Sequence, residues 1–446
     1  MSSAVEAASQ LNDRAASRVE RERQLQRLVI VYILAGLVFM LLPGTFLGVW
    51  NLLSISANHT VDTLSPAWLQ AHGHAQIFGW LGTFILGIGF YSLAKMGNLP
   101  PFAVARGWMA FAWWAAGVSL RWISNVTGFE WRWLLPFSAA LELAAFLIFF
   151  RTVSNHRAEP ASGAPPKKEP WMMVVLASTL GFLVTLVANF ASTIYLAIEG
   201  TSPALPLIID QRLLGLPIWG FLVPTVWGFN ARWLPIFLGL RTPRTTQLYA
   251  AVLAAWLAVF AMLFGAAEAA SGLFAVSAIF ACIGMGIFEP SPRPAKLNGV
   301  HRSFPFFVRA AYVWLLIAAF LSVAAAFADR YGGIWGASRH AVTVGFLAMM
   351  VFSIGPKILP AFGGMRVLFS STLMLVSLVL LNAGCLLRVC SEPAAYEGYA
   401  RHAWSVLPVS AVIELTAVTV FALNLAVTFL RPPAHLMARP MAAKSA

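Results

Sequence analysis

His72-Gly73-His74-Ala75-Gln76-Ile77-Phe78-Gly79 sets two imidazoles at the start of a segment that stays apolar from Trp80 to Leu93 and is long enough to cross a bilayer. The arrangement recurs, because His340 to Gly345 repeats the spacing of His74 to Gly79 and opens a second long apolar run. An ionisable group at the edge of hydrocarbon is costly and calls for a partner or a ligand. Neutral imidazole nitrogen is a natural axial ligand for haem iron and also binds copper. Two such histidines, opening two distant membrane helices, are the start of a haem or metal site. His72 and His74 lie about 200° apart around a regular helix and cannot share one ion. His74 and His340, equivalent by that spacing, are therefore the candidate pair for a haem or a metal ion, with His72 and His402 as candidates for a second haem or for copper.

Two carboxylates belong to the same discussion. Glu142 and Glu414 fall in the middle of apolar segments, where a charge is expensive. They occupy matching positions, since Leu135-Pro136-x-Ser138-Ala139-x-x-Glu142-Leu143 reappears as Leu407-Pro408-x-Ser410-Ala411-x-x-Glu414-Leu415. A structural role in an internally repeated core and a proton-relay role both fit that placement. Cys385 and Cys390, five apart near one helix end, read as core thiols, with soft copper ligation as the alternative. With Cys282 they make no disulfide framework and match no zinc spacing.

The composition says what must position these groups. The chain has 446 residues, 59% hydrophobic and 11% charged, against roughly 25% charged in a soluble domain. It is expected to be all-α and to cross the bilayer many times, because lipid offers no partner for free backbone groups. Twelve stretches are long and apolar enough: 28–50, 72–95, 106–124, 133–151, 171–196, 212–232, 246–267, 271–288, 306–328, 339–362, 366–389 and 402–430. Residues 1–27 form an expected cytoplasmic N-terminal tail, 28–430 the membrane domain and 431–446 a cytoplasmic C-terminal tail. The proline-rich loop at 152–170 reads as a flexible linker.

With both termini inside, 23 of the 30 Lys and Arg residues fall on the inner side, in keeping with the positive-inside rule. Arg121, Arg132, Arg212, Arg330, Arg339, Arg388 and Arg401 are the outer seven. The net charge of +13 thus reflects topology and does not call for nucleic acid. On this topology His72, His74, His340 and His402 all open spans on the outer face, with His59 in an adjoining outer loop, whereas His156, His301 and His435 lie inside.

Further matches place the spans in register. Gly220-Phe221, Arg232, Leu234-Pro235-x-Phe237 and Arg241 align with Gly345-Phe346, Lys357, Leu359-Pro360-x-Phe362 and Arg366 at one offset of 125 residues. Spans two, six and ten are then equivalent, as are four and twelve. The simplest architecture is three four-helix units about a pseudo-threefold axis.

Twelve helices in three units, with histidines on helices two and ten, resemble the haem–copper oxidase subunit I superfold, which implies His74 and His340 as the axial ligands of one haem. His72-x-His74-x-x-x-Phe78-Gly79, Asn230-Ala231-Arg232-Trp233-Leu234-Pro235-x-Phe237 and His340-Ala341-x-Thr343-x-Gly345 resemble the NnrS family more specifically. That resemblance implies a haem- and copper-containing protein of the bacterial inner membrane, linked to protection against nitric oxide. It also implies nitric oxide as a ligand and a redox partner of unknown identity. The oxidases hold their catalytic copper with histidines on helices six and seven, and 212–267 contains none. No binuclear centre of that kind is encoded, so oxygen or nitric oxide reduction by that route is not expected. The alternatives are an electron-transfer or quinol-linked subunit with the oxidase fold, and a transporter or permease.

Overall fold

A computed structural model describes residues 2–96, 104–155 and 169–432. It is helical throughout, with no strand among the described residues. Among the described residues, eleven helices are long and apolar enough to cross a membrane. In chain order, and with Ala105–Thr127 counted as α3, the long helices are α1 (Val19–Asn58), α2 (Pro66–Ser92), α3 (Ala105–Thr127), α4 (Trp131–Ser154), α5 (Pro170–Glu199) and α6 (Leu207–Phe237). They continue as α7 (Thr245–Leu263), α8 (Ala267–Met285), α9 (Phe304–Ala328), α10 (Gly333–Phe362), α11 (Ser371–Tyr396) and α12 (Ala403–Leu430). The expected span at 106–124 lies inside α3, which is long enough but carries two arginines and four tryptophans and is less apolar than the others.

The N-terminal segment is not separate from the first span, because one helix runs from Ser2 to Phe39. The linker residues 156–168 and the C-terminal residues 433–446, including His156 and His435, lie outside the described residues.

Burial divides the helices into two classes. The most apolar windows of α2, α6 and α10 are 83%, 72% and 78% buried, against 39–56% in the other eight. The inner helices are thus every fourth one. The neighbour pattern has the same period. Helix α3 packs on α4, α7 on α8 and α11 on α12; α4 meets α5, α8 meets α9, and α12 meets α1. The outer helices turn large apolar side chains outward, among them Leu180, Phe260 and Phe320, as a lipid-facing surface requires.

Each inner helix widens at the same place. A π-helical stretch occupies Ala75–Gly82 in α2, Leu216–Leu222 in α6 and Ala341–Ala348 in α10. These begin at equivalent repeat positions, directly after His74, Gly215 and His340. A wide turn leaves a backbone carbonyl without its usual helical donor, and such segments cluster at functional sites. In α2 the hydroxyl of Thr83 donates to the Gly79 carbonyl at 2.6 Å, filling part of that gap. A fourth wide stretch, Met40–Phe46 in α1, contains Pro43, and Thr45 donates to the Met40 carbonyl at 2.8 Å.

The repeated Leu-Pro-x-Ser motif also has a local cause. Proline leaves the carbonyl four residues before it without a helical donor, and separately the serine two residues on donates to the leucine carbonyl, Ser138 to Leu135 at 2.8 Å and Ser410 to Leu407 at 2.6 Å. A glycine on the preceding helix lets each motif approach closely. A Cβ on Gly117 would stand 2.8 Å from Glu142 Cγ, and one on Gly384 would stand 2.6 Å from Glu414 Cγ.

Candidate functional site

The wide turns and kinks leave a cavity of about 430 Å³ among the helices, within the range of ordinary ligand sites. Its wall is largely apolar and includes Phe78, Leu81, Leu222, Val344, Leu381 and Val418. His72, His74 and His340 line it together, as do Arg121, Asp210, Arg339, Arg388 and Glu414. Residues 266 positions apart in sequence, His74 and His340, therefore share one chamber.

His74 is buried, and its ring stacks on Phe78 at 4.5 Å between centroids. Its Nε2–H donates to Glu142 Oε1 at 2.7 Å. The second oxygen of Glu142 accepts from Asn189 Nδ2 at 3.2 Å, so both carboxylate oxygens are used. In a neutral ring this bond puts the lone pair on Nδ1.

His340 has the complementary arrangement. Its Nδ1–H donates to the Gly336 carbonyl at 3.0 Å and lies 3.2 Å from Glu392 Oε2, which leaves the lone pair on Nε2. Arg388 holds Glu392 from one turn away through Nε at 3.1 Å and Nη2 at 3.2 Å. Gly336 is required here, since a Cβ at that position would collide with the Glu392 carboxylate.

His72 joins the same cavity on the other side of α2, and its Nδ1–H donates to the Gly44 carbonyl at 2.9 Å. His402 is not brought to the chamber; it is exposed at the start of α12. His59 is exposed in a left-handed conformation and stacks on Trp404 at 5.2 Å. His301 pairs with Ser303 at 2.8 Å in the loop before α9. Glu414 lines the cavity, and its Oε1 is buried with no hydrogen-bond partner. Cys385 is buried with its Sγ 3.9 Å from the His340 carbonyl, as a core thiol should be. Cys390 is exposed, on the outward side of α11, so the core reading fails for it.

Among the described residues no three His, Cys, Asp or Glu side chains stand close enough to hold one metal ion. His74 and His340 instead offer at the cavity the pair of imidazoles that a haem would need. Each histidine has one ring nitrogen held by an acceptor and the other uncommitted, the arrangement that orients and fixes the tautomer of metal-ligating imidazoles. Equivalence of α2, α6 and α10 gives three such positions, and the third carries Gly215.

Arg121, Arg339 and Arg388 were read from the sequence only as outer basic residues, and Asp210 and Glu392 were not read at all. For one pair a signal existed: Arg388 and Glu392, spaced i, i+4 at the end of an apolar run, form an ion pair that a membrane helix seldom carries without a use.

Residues 216–427 match a family described only as a domain of unknown function, DUF8744. That region takes in α7 to α11 whole and most of α6 and α12, with His340, Glu392 and Glu414, but not His74. A comparison with curated proteins finds no match.

Proposed function

We propose that this chain is a haem-binding integral membrane protein in which His74 and His340 are the axial ligands. The observation that carries the reading is that the two repeat-related histidines line one largely apolar cavity, each with one nitrogen uncommitted. A haem bound there would supply one-electron exchange.

The residues of this chain divide the remaining work. Glu142 orients His74, and Glu142 is itself fixed by Asn189. The Gly336 carbonyl and Glu392 orient His340, with Arg388 holding Glu392 in place. Such orienting contacts tune ligand basicity and redox behaviour.

The reading extends to architecture and setting. Twelve spans, with α3 as the least apolar of them, would form three four-helix units about a pseudo-threefold axis, as in haem–copper oxidase subunit I. The inner position of α2, α6 and α10 and the four-helix period of the contacts support that arrangement. With no histidine between 212 and 267, the chain would lack the oxidase copper centre and transfer electrons without reducing oxygen. Placement in a bacterial inner membrane, with both termini cytoplasmic, rests on the distribution of basic residues. A part in nitric oxide defence or denitrification, with nitric oxide as ligand, rests on the NnrS resemblance alone.

A transporter is the second reading, favoured by the buried, unpartnered oxygen of Glu414 beside a chamber that Arg121, Asp210 and Arg388 also line. Substitution separates the two. His74→Ala and His340→Ala should each remove or severely alter a low-spin haem spectrum while the proteins still insert. Unchanged spectra in both would exclude this axial pair.

A further inference from the structure

The cavity holds cationic donors that the histidine chemistry does not use. Arg121, on α3, is 5% exposed and lines the chamber, yet its Nε and Nη1 are buried without a hydrogen-bond partner. Its charged neighbours are Glu142 and Asp210. Both oxygens of Glu142 are already taken by His74 and Asn189, and Asp210 makes no ion pair with Arg121 among the described residues. On α11, Arg388 is 7% exposed and lines the same chamber; two of its nitrogens hold Glu392, and Nη1 is buried without a partner. Unfilled donors on buried cations are expensive, and two of them facing one chamber mark the place of a missing acceptor.

We propose that the cavity receives a carboxylate at Arg121, borne by a ligand whose apolar body rests against Leu81, Leu214, Leu222 and Val344. The planar guanidinium matches a carboxylate in shape and charge. Asp210 and Glu414 already bring negative charge to the chamber, which favours a singly charged group over a dianionic phosphate. The assignment stands on the arginines and not on the histidines, so it holds whether the carboxylate is an arm of a porphyrin or belongs to a free amphipathic acid.

The test uses the full-length protein purified in lipid nanodiscs, as wild type, Arg121→Gln and Arg121→Lys. Thermal unfolding is followed in butyrate and in chloride at equal ionic strength, together with haem content and midpoint potential. If the carboxylate is a porphyrin arm, Arg121→Gln loses haem or shifts its potential, Arg121→Lys does so less, and butyrate has no effect on the loaded wild type. If it is a free acid, butyrate raises the wild-type melting temperature above that in chloride, and Arg121→Gln abolishes the rise. This second result would stand even in a preparation without haem, which would refute the haem reading alone. A wild type indifferent to butyrate, with haem content and potential the same in all three proteins, overturns the proposal.

Discussion

His74 and Glu142, 68 residues apart, are joined by a 2.7 Å hydrogen bond, whereas their repeat counterparts His340 and Glu414 are not joined. His340 turns to Gly336 and Glu392, and Glu414 keeps a buried oxygen without a partner. The same scaffold thus holds its two histidines by different acceptors and through different ring nitrogens.

The bond at Glu142 makes a stability prediction. Glu142→Leu orphans the buried donor on His74, at about 1–3 kcal/mol, and a half-buried one on Asn189 that water can partly satisfy. Glu142→Gln keeps an acceptor and should lose clearly less. Thermal unfolding in detergent checks the order, and equal losses in the two variants would show that the bond contributes nothing specific.

Close packing of the repeated motif makes a second. Gly117→Ala drives a Cβ to 2.8 Å from both Glu142 Cγ and the Ser138 carbonyl, and overpacking of this kind costs about 1–3 kcal/mol. Gly384→Ala should cost less, because its nearest atom, Glu414 Cγ, belongs to a side chain that can move, while the Ser410 carbonyl stands at 3.2 Å. Gly272→Ala, with nothing within 4 Å, should be neutral or stabilising. Melting temperatures that fail to separate Gly117→Ala from Gly272→Ala would refute the packing argument.

What could be read from the chain was whatever repeats within it. The His-Ala-x-x-x-Gly and Leu-Pro-x-Ser-Ala-x-x-Glu spacings marked α2, α10, α4 and α12, and the shared cavity is consistent with their pairing. The π-helical stretches were not legible, because a single added residue in a turn leaves an apolar pattern almost unchanged. Partner choice was not legible either. Nothing local to Glu142 points to His74 rather than to solvent, and Arg121 looked like one more outer basic residue until its helix was seen to bury it. His402 opens its span as His340 does, yet it faces outward.

That difference separates the histidines by experiment. His402→Ala and His301→Ala should leave haem content and spectrum as in wild type. His72→Ala should shift the haem potential without abolishing the band, since its ring lines the cavity from the other side of α2. Loss of haem in His72→Ala with retention in His74→Ala would reassign the ligand.

Topology is tested separately. Reporter fusions after residue 160 and at the C-terminus should report cytoplasm, and a fusion near residue 62 should report the outer side. A terminus found outside would move His74 and His340 to the inner face and remove the reason for the basic distribution.

The reduced-minus-oxidised absorption spectrum of the purified full-length protein, with pyridine-haemochrome analysis, tests the central claim most directly. The account predicts a Soret band and low-spin α and β bands, with haem bound to the protein. A protein expressed with ample haem, correctly inserted and folded, that shows no Soret band would contradict it and leave the transporter reading in its place.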